Sequence, residues 1–152
     1  MRLTTTVLLL VAPLAIGSAC SGGPAAAGSP GDPAAGDLQG PYRYLAYDSN
    51  SALLLTGQLR IVPLDDSTLG GTWEIHWAAG ADTTRPVGPQ VGTGLLQGSR
   101  IGARWHLTLT PGWADNNVDL MAEARAGALM GAWVHSIITG PHAGGSFQAL
   151  PE

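Results

Sequence analysis

A short unit recurs along the chain: a glycine preceded by an apolar residue in most copies, then a large aromatic two or three residues later. It reads Leu69-Gly70-Gly71-Thr72-Trp73, Ile101-Gly102-Ala103-Arg104-Trp105, Leu129-Met130-Gly131-Ala132-Trp133 and Gly145-Ser146-Phe147, with a looser copy at Gly40-Pro41-Tyr42. Each copy opens a stretch in which polar and apolar residues alternate, the period of a half-buried strand. The units therefore read as the starts of strands. Gly or Pro interrupts every stretch long enough to form a helix.

Alternation and turn signals place eight strands, over 42–48, 52–64, 69–78, 91–97, 101–110, 118–124, 128–138 and 145–150. Gly98-Ser99 reads as the hairpin between the fourth and fifth, and Gly57 as a bulge or bend in the second. Residues 118–126 also suit one short helix, being rich in Met, Ala and Glu. Eight sequential strands joined by hairpins imply an all-β fold, an eight-stranded antiparallel up-and-down β-barrel, which closes to remove its edges. A Greek-key sandwich is the second choice, since only residues 79–90 are long enough to cross over.

Parity assigns the faces. Trp73, Ile75 and Trp77 share one face, opposite Glu74 and His76; Trp105, Leu107 and Leu109 share another, opposite Arg104, His106 and Thr108. In the seventh strand Trp133, His135 and Ile137 go together. The Trp faces are expected inside, each indole contributing roughly 3 kcal/mol when fully buried.

The chain ahead of the barrel has a different character. Arg2, the apolar run 7–16 and the small residues Gly17-Ser18-Ala19 before Cys20 have the layout of a signal peptide over residues 1–19. They resemble a bacterial lipoprotein signal, which implies lipidation of Cys20 and a membrane anchor; Gly17 stands where that signal usually has Leu. Cleavage after Ala19 by an ordinary signal peptidase, giving a secreted protein, is the alternative. Cys20 is the only cysteine, so no internal disulfide is available. Residues 20–39 form a Gly/Ala/Pro linker of disordered type ahead of a barrel domain over 40–152. Ser21, beside the lipidated position, is compatible with outer-membrane sorting, as the lipoprotein resemblance implies.

Successive connections of an up-and-down barrel alternate between its ends. Those after the second, fourth and sixth strands are short, and those after the third, fifth and seventh are long. One end is expected pinched and the other to be a loop-bearing mouth. The tether joins at the pinched end, so a lipid-anchored protein would turn its mouth away from the membrane.

The mouth is where function is expected. Trp113, Asp115, Asn116 and Asn117 lie in its 111–117 loop, and Arg85 and His142 in its other long loops. Together they make a candidate site for a small, partly apolar ligand. The plainer reading is that Pro-Gly and Asp-Asn-Asn are turn chemistry. His76 and His106 would neighbour each other on the outer wall, while an inward His135 needs a partner. No His spacing suits a metal, no cofactor is expected, and no catalytic signature is present. The net charge of -4, with every basic residue an arginine, argues against nucleic acid.

Gly71-Thr72-Trp73 and Gly131-Ala132-Trp133 resemble the strand starts of calycin-type barrels, the group of lipocalins and avidins, over about 40–150. That resemblance implies a barrel able to hold a small ligand. Lipocalins carry their Gly-x-Trp on the first strand, where this chain has Gly40-Pro41-Tyr42; biotin is not carried over from avidins. Trp113-Ala114-Asp115-Asn116-Asn117, followed by Gly-x-Trp and Gly-x-Phe, also resembles bacterial lipoproteins. Two functions follow: a non-enzymatic envelope lipoprotein binding a small ligand at its mouth, or a solidly packed module contacting another envelope protein. An interior filled by Trp73, Trp105 and Trp133 would leave no internal ligand pocket.

Overall fold

A computed structural model of the chain describes residues 34–109 and 115–152. Eight antiparallel strands close into a barrel in sequence order: β1 (Gly40–Tyr47), β2 (Leu53–Pro63), β3 (Thr68–Trp77), β4 (Gly92–Ile101), β5 (Arg104–Thr108), β6 (Asn116–Arg125), β7 (Ala128–Ile137) and β8 (Gly140–Pro151). Closure comes from β8 pairing with β1, running from Tyr42 opposite Pro151 to Tyr47 opposite Ser146. The expected up-and-down barrel is the fold, and the sandwich is not formed. The stretch that also suited a helix is strand β6.

Alternation assigned most of the interior correctly, with Trp77 and Ile137, at the ends of β3 and β7, only half-buried. Trp73, Ile75, Trp105, Leu107, Leu109 and Trp133 are all buried in one continuous core with Tyr42, Tyr44 and Phe147. Two indoles also satisfy their N–H groups on backbone. Trp133 Nε1 donates to Tyr47 O at 2.9 Å, and Trp73 Nε1 to Leu95 O at 3.0 Å and to Leu109 O. A buried N–H left without an acceptor would cost about 1–3 kcal/mol.

The glycines do something other than start strands. Gly71 and Gly131 sit inside β3 and β7, and Gly145 inside β8. A Cβ at Gly71 would lie 2.0 Å from Arg60 O, at Gly131 1.9 Å from Met121 O, and at Gly145 1.9 Å from Tyr47 O. Adjacent strands cross too closely there for any side chain, as the curvature of a small closed barrel demands. Gly57 is of the same kind, a close approach to Glu74 O rather than a bulge.

Two hairpins differ from expectation. The β4–β5 turn is Gly102-Ala103, with Ile101 opposite Arg104, and not Gly98-Ser99. Gly102 has φ 62° at the first central position, the pattern of a type II′ turn. Gly98 is instead a strand glycine crowded by Leu107 and Leu69. The β7–β8 connection, expected to be a long loop over 139–144, is a two-residue turn with Ile137 opposite Gly140, so His142 stands on β8.

The two ends are plugged differently. At the pinched end a 3-10 helix, Ala35–Leu38, precedes β1 and puts Ala35 and Leu38 into the core. At the mouth the 78–91 loop folds inward, and Val87 and Gln90 are buried. Among the described residues, pairing of β4 with β5 on this side runs no further than Gln97–Thr108, and the Trp73 indole links Leu95 O with Leu109 O beyond it.

Candidate functional site

The mouth is built by three elements meeting over the core. Tyr44, wholly buried on β1, donates its hydroxyl to Gln90 Oε1 at 3.0 Å, and Gln90 Nε2 donates to Val87 O at 2.7 Å. Burial pushes the Tyr44 hydroxyl far above its ordinary pKa, so it remains a neutral donor. This pair pins the 78–91 loop down into the barrel. Two residues from Gln90, Gly88 rests on the His135 ring: a Cβ there would lie 2.5 Å from the imidazole carbons, and its φ of 67° also favours glycine.

His135 faces inward from β7, as parity required, and is only 7% exposed. Its Nε2 lies 2.7 Å from Asn116 Oδ1 on β6. With the amide oxygen as acceptor, Nε2 carries the hydrogen and Nδ1 holds a lone pair. That buried Nδ1 has no hydrogen-bond partner among the described residues. His142 on β8 packs edge-on against the ring with centroids 5.5 Å apart. Burial first, and then His142, lowers the pKa of His135, which keeps it neutral near pH 7.

Beside the histidine pair lies a pocket of about 230 Å³, lined among others by Asp48, Leu54, Arg85, Trp133 and His142. Asp48 organises it. Its Oδ1 accepts the backbone N–H groups of Asn50 and Ala52 at 2.8 and 2.9 Å, closing the β1–β2 turn. Its Oδ2 lies 3.1 Å from Arg85 Nη2, and Arg85 also approaches Asp82 at 3.7 Å. The pocket thus combines a guanidinium, a carboxylate, an imidazole and an indole.

Of the residues expected at the mouth, Arg85 and His142 line this one pocket, and Asn116 bonds His135, whose ring packs on His142. Asn117, next along β6, has the opposite parity, and its Oδ1 accepts the N–H of Val118. Asp115 is exposed in the turn just ahead of β6. Trp113 lies outside the described residues. Sequence reasoning missed Asp48, Gln90 and Trp133 as mouth residues. Asp48 carried a turn signal, but nothing local announced that its second oxygen would meet Arg85.

The outer-wall histidines do not meet each other. His76 lies 3.4 Å from Glu74, whereas His106 pairs with Asp119 at 3.0 Å, two strands away. Thr108 Oγ1 also donates to Asp119 Oδ1, so the hydroxyl faces the carboxylate and not the imidazole. Among the described residues no group of three or more His, Cys, Asp or Glu is placed to hold a metal ion. In comparisons with known proteins, the sequence matches no family model and no curated protein.

Proposed function

We propose that this is a non-enzymatic cell-envelope lipoprotein of calycin-like type, anchored through Cys20, whose barrel presents a small-ligand pocket at its mouth. The observation that carries the reading is where space remains. Three indoles, Tyr44 and Phe147 occupy the interior, and Val87 and Gln90 close it from above, while Asp48, Arg85, Trp133 and His142 surround about 230 Å³ at the rim. That volume lies below the usual range for drug-sized ligands, so the ligand is small, partly apolar and held by charge at one end. The Gly-x-Trp resemblance and the lipoprotein-type leader support the class and the address. The 3-10 helix joins at the pinched end, an arrangement compatible with a mouth turned away from an anchoring membrane.

The test has two arms. A panel of small ligands is titrated against the 34–152 domain by amide and indole NMR shifts, with Arg85→Ala and His142→Ala beside the parent. The expected result is a ligand whose shifts cluster at 48–54, 85–86 and 142–144 and vanish in both variants. A panel that moves none of these residues overturns the pocket. In cells, Cys20→Ser is expected to shift the full-length protein from the membrane to the soluble fraction, and continued membrane retention would overturn the anchor.

A second reading, a packed module contacting another envelope protein, is favoured by the rim. Ile138 at the β7–β8 turn is 80% exposed, and Leu53 and Val91 are also exposed. Under that reading Ile138→Ser abolishes partner capture and leaves ligand shifts intact.

A further inference from the structure

The described arginines divide into two groups. Arg85 faces Asp48 and Asp82, Arg104 and Arg125 share Glu123, and Arg100 Nε donates to Gly102 O. Arg43 and Arg60 have no anionic partner among the described residues, in a protein whose net charge is -4. These two are neighbours. Arg43 on β1 stands opposite Gln58 on β2, and Arg60 is two residues further along the same exposed face. Such diagonal pairs lie within reach of long side chains.

Arg60 lines the outer-wall groove of about 410 Å³ that runs over β2, β3 and β4. The registers lay its residues out in two rows: Gln58, Glu74 and Thr93, then Arg60, Thr72 and Leu95. Between them the wall is thin. Gly94 has no side chain, Trp73 forms the floor behind it, and Leu95 beside it is 65% exposed. Two carboxylates stand by the other row. Glu74 lines the groove and lies 3.4 Å from His76, and Glu152 accepts Gln58 Nε2 at 2.6 Å. The Arg60 row is therefore cationic at its β2 end, has a hydroxyl beside it and ends in an apolar step at Leu95, while the Gln58 row carries the acidic groups.

We propose that this outer-wall groove is a second binding site, separate from the mouth, for a small oxyanion carrying a short apolar arm. The oxyanion head sits on Arg60 beside the Thr72 hydroxyl, with Arg43 adding positive charge. The arm lies over Gly94 against Leu95. A guanidinium favours a phosphate or carboxylate head because its N–H fork matches two oxygens.

Hexyl phosphate is the probe, with inorganic phosphate and hexanol as single-feature controls, titrated against the 34–152 domain by NMR. The expected result is saturable binding with a Kd of about 1 mM or tighter. Shifts should centre on 58–60, 72, 93–95 and the Trp73 indole, with 116, 135 and 142 unmoved. Arg60→Gln weakens binding by about tenfold, the loss of one charged hydrogen-bonding partner, and Arg43→Gln by a few-fold. Leu95→Ser brings hexyl phosphate down toward inorganic phosphate. Arg60 and Arg43 are exposed, so both variants should keep the parent's melting temperature. Equal binding of hexanol, equal binding of inorganic phosphate, shifts confined to the mouth, or an unaffected Arg60→Gln would each overturn the proposal.

Discussion

Trp73 packs so closely on Gly94, its cross-strand partner, that a Cβ there would lie 2.6 Å from the indole carbons Cε2 and Cζ2. Trp133 has the same relationship with Gly145, whose added Cβ would meet the indole nitrogen at 2.8 Å and Tyr47 O at 1.9 Å. The two sites differ in what can yield. Opposite Gly94 is a side chain, and opposite Gly145 is also a backbone carbonyl. Gly94→Ala is expected to destabilise by about 1–3 kcal/mol, the usual cost of overpacking, and Gly145→Ala by more. Thermal unfolding reads this as a midpoint lowered by roughly 4–8 °C for each kcal/mol. Equal, near-zero effects would mean that the indoles are not held against these glycines.

The Tyr44–Gln90 hydrogen bond is buried at both ends. Tyr44→Phe leaves Gln90 Oε1 without its donor inside the core and should cost about 1–3 kcal/mol. Because Gln90 ends the mouth loop, the same variant should raise amide exchange across 78–91 ahead of the strands. Loss of stability with no change in loop exchange would separate the bond from the loop.

His135 makes stability depend on pH in a defined sense. Its pKa is lowered in the fold, by burial and then by His142, while in the unfolded chain it is about 6.5. Between those values the unfolded state binds the extra proton, so stability is complete above about 6.5 and falls as pH drops toward the depressed value. Asn116, His142 and the Gly88 backbone lie against the ring, and among these described residues none supplies an anion to offset the charge. Urea midpoints at about pH 5 and pH 7.5 should differ, and His135→Gln should reduce the difference. An unchanged difference would assign the pH dependence to other groups.

Much of the fold is legible in the sequence because strand parity survives local errors. The alternation in 69–78, 101–110 and 128–138 put Trp73, Trp105 and Trp133 inside whatever the strand ends were. What failed was the reading of glycine. Gly98 looks like a turn and is a strand glycine crowded by Leu69 and Leu107, whereas Gly102 makes the turn. Gly71 and Gly131 look like strand starts and are crossing points. Turn and crossing glycines are alike in sequence, since only a neighbouring strand tells them apart. The mouth was legible in part. Arg85 and His142 were placed there from loop position, yet His142 arrives on β8. Asp48, the partner of Arg85, comes from elsewhere in the chain and leaves no local trace, and position alone did not show that His135 would bond Asn116 and pack on His142.

The central claim is that the barrel interior is filled and that ligand space lies outside it, at the rim and on the outer wall. Xenon tests it most directly, because empty apolar cavities take up xenon. Crystals of the 34–152 domain under xenon pressure are expected to show no xenon among Trp73, Trp105, Trp133 and Phe147. A bound xenon atom within that cluster would contradict the claim and return the ligand site to the inside of the barrel.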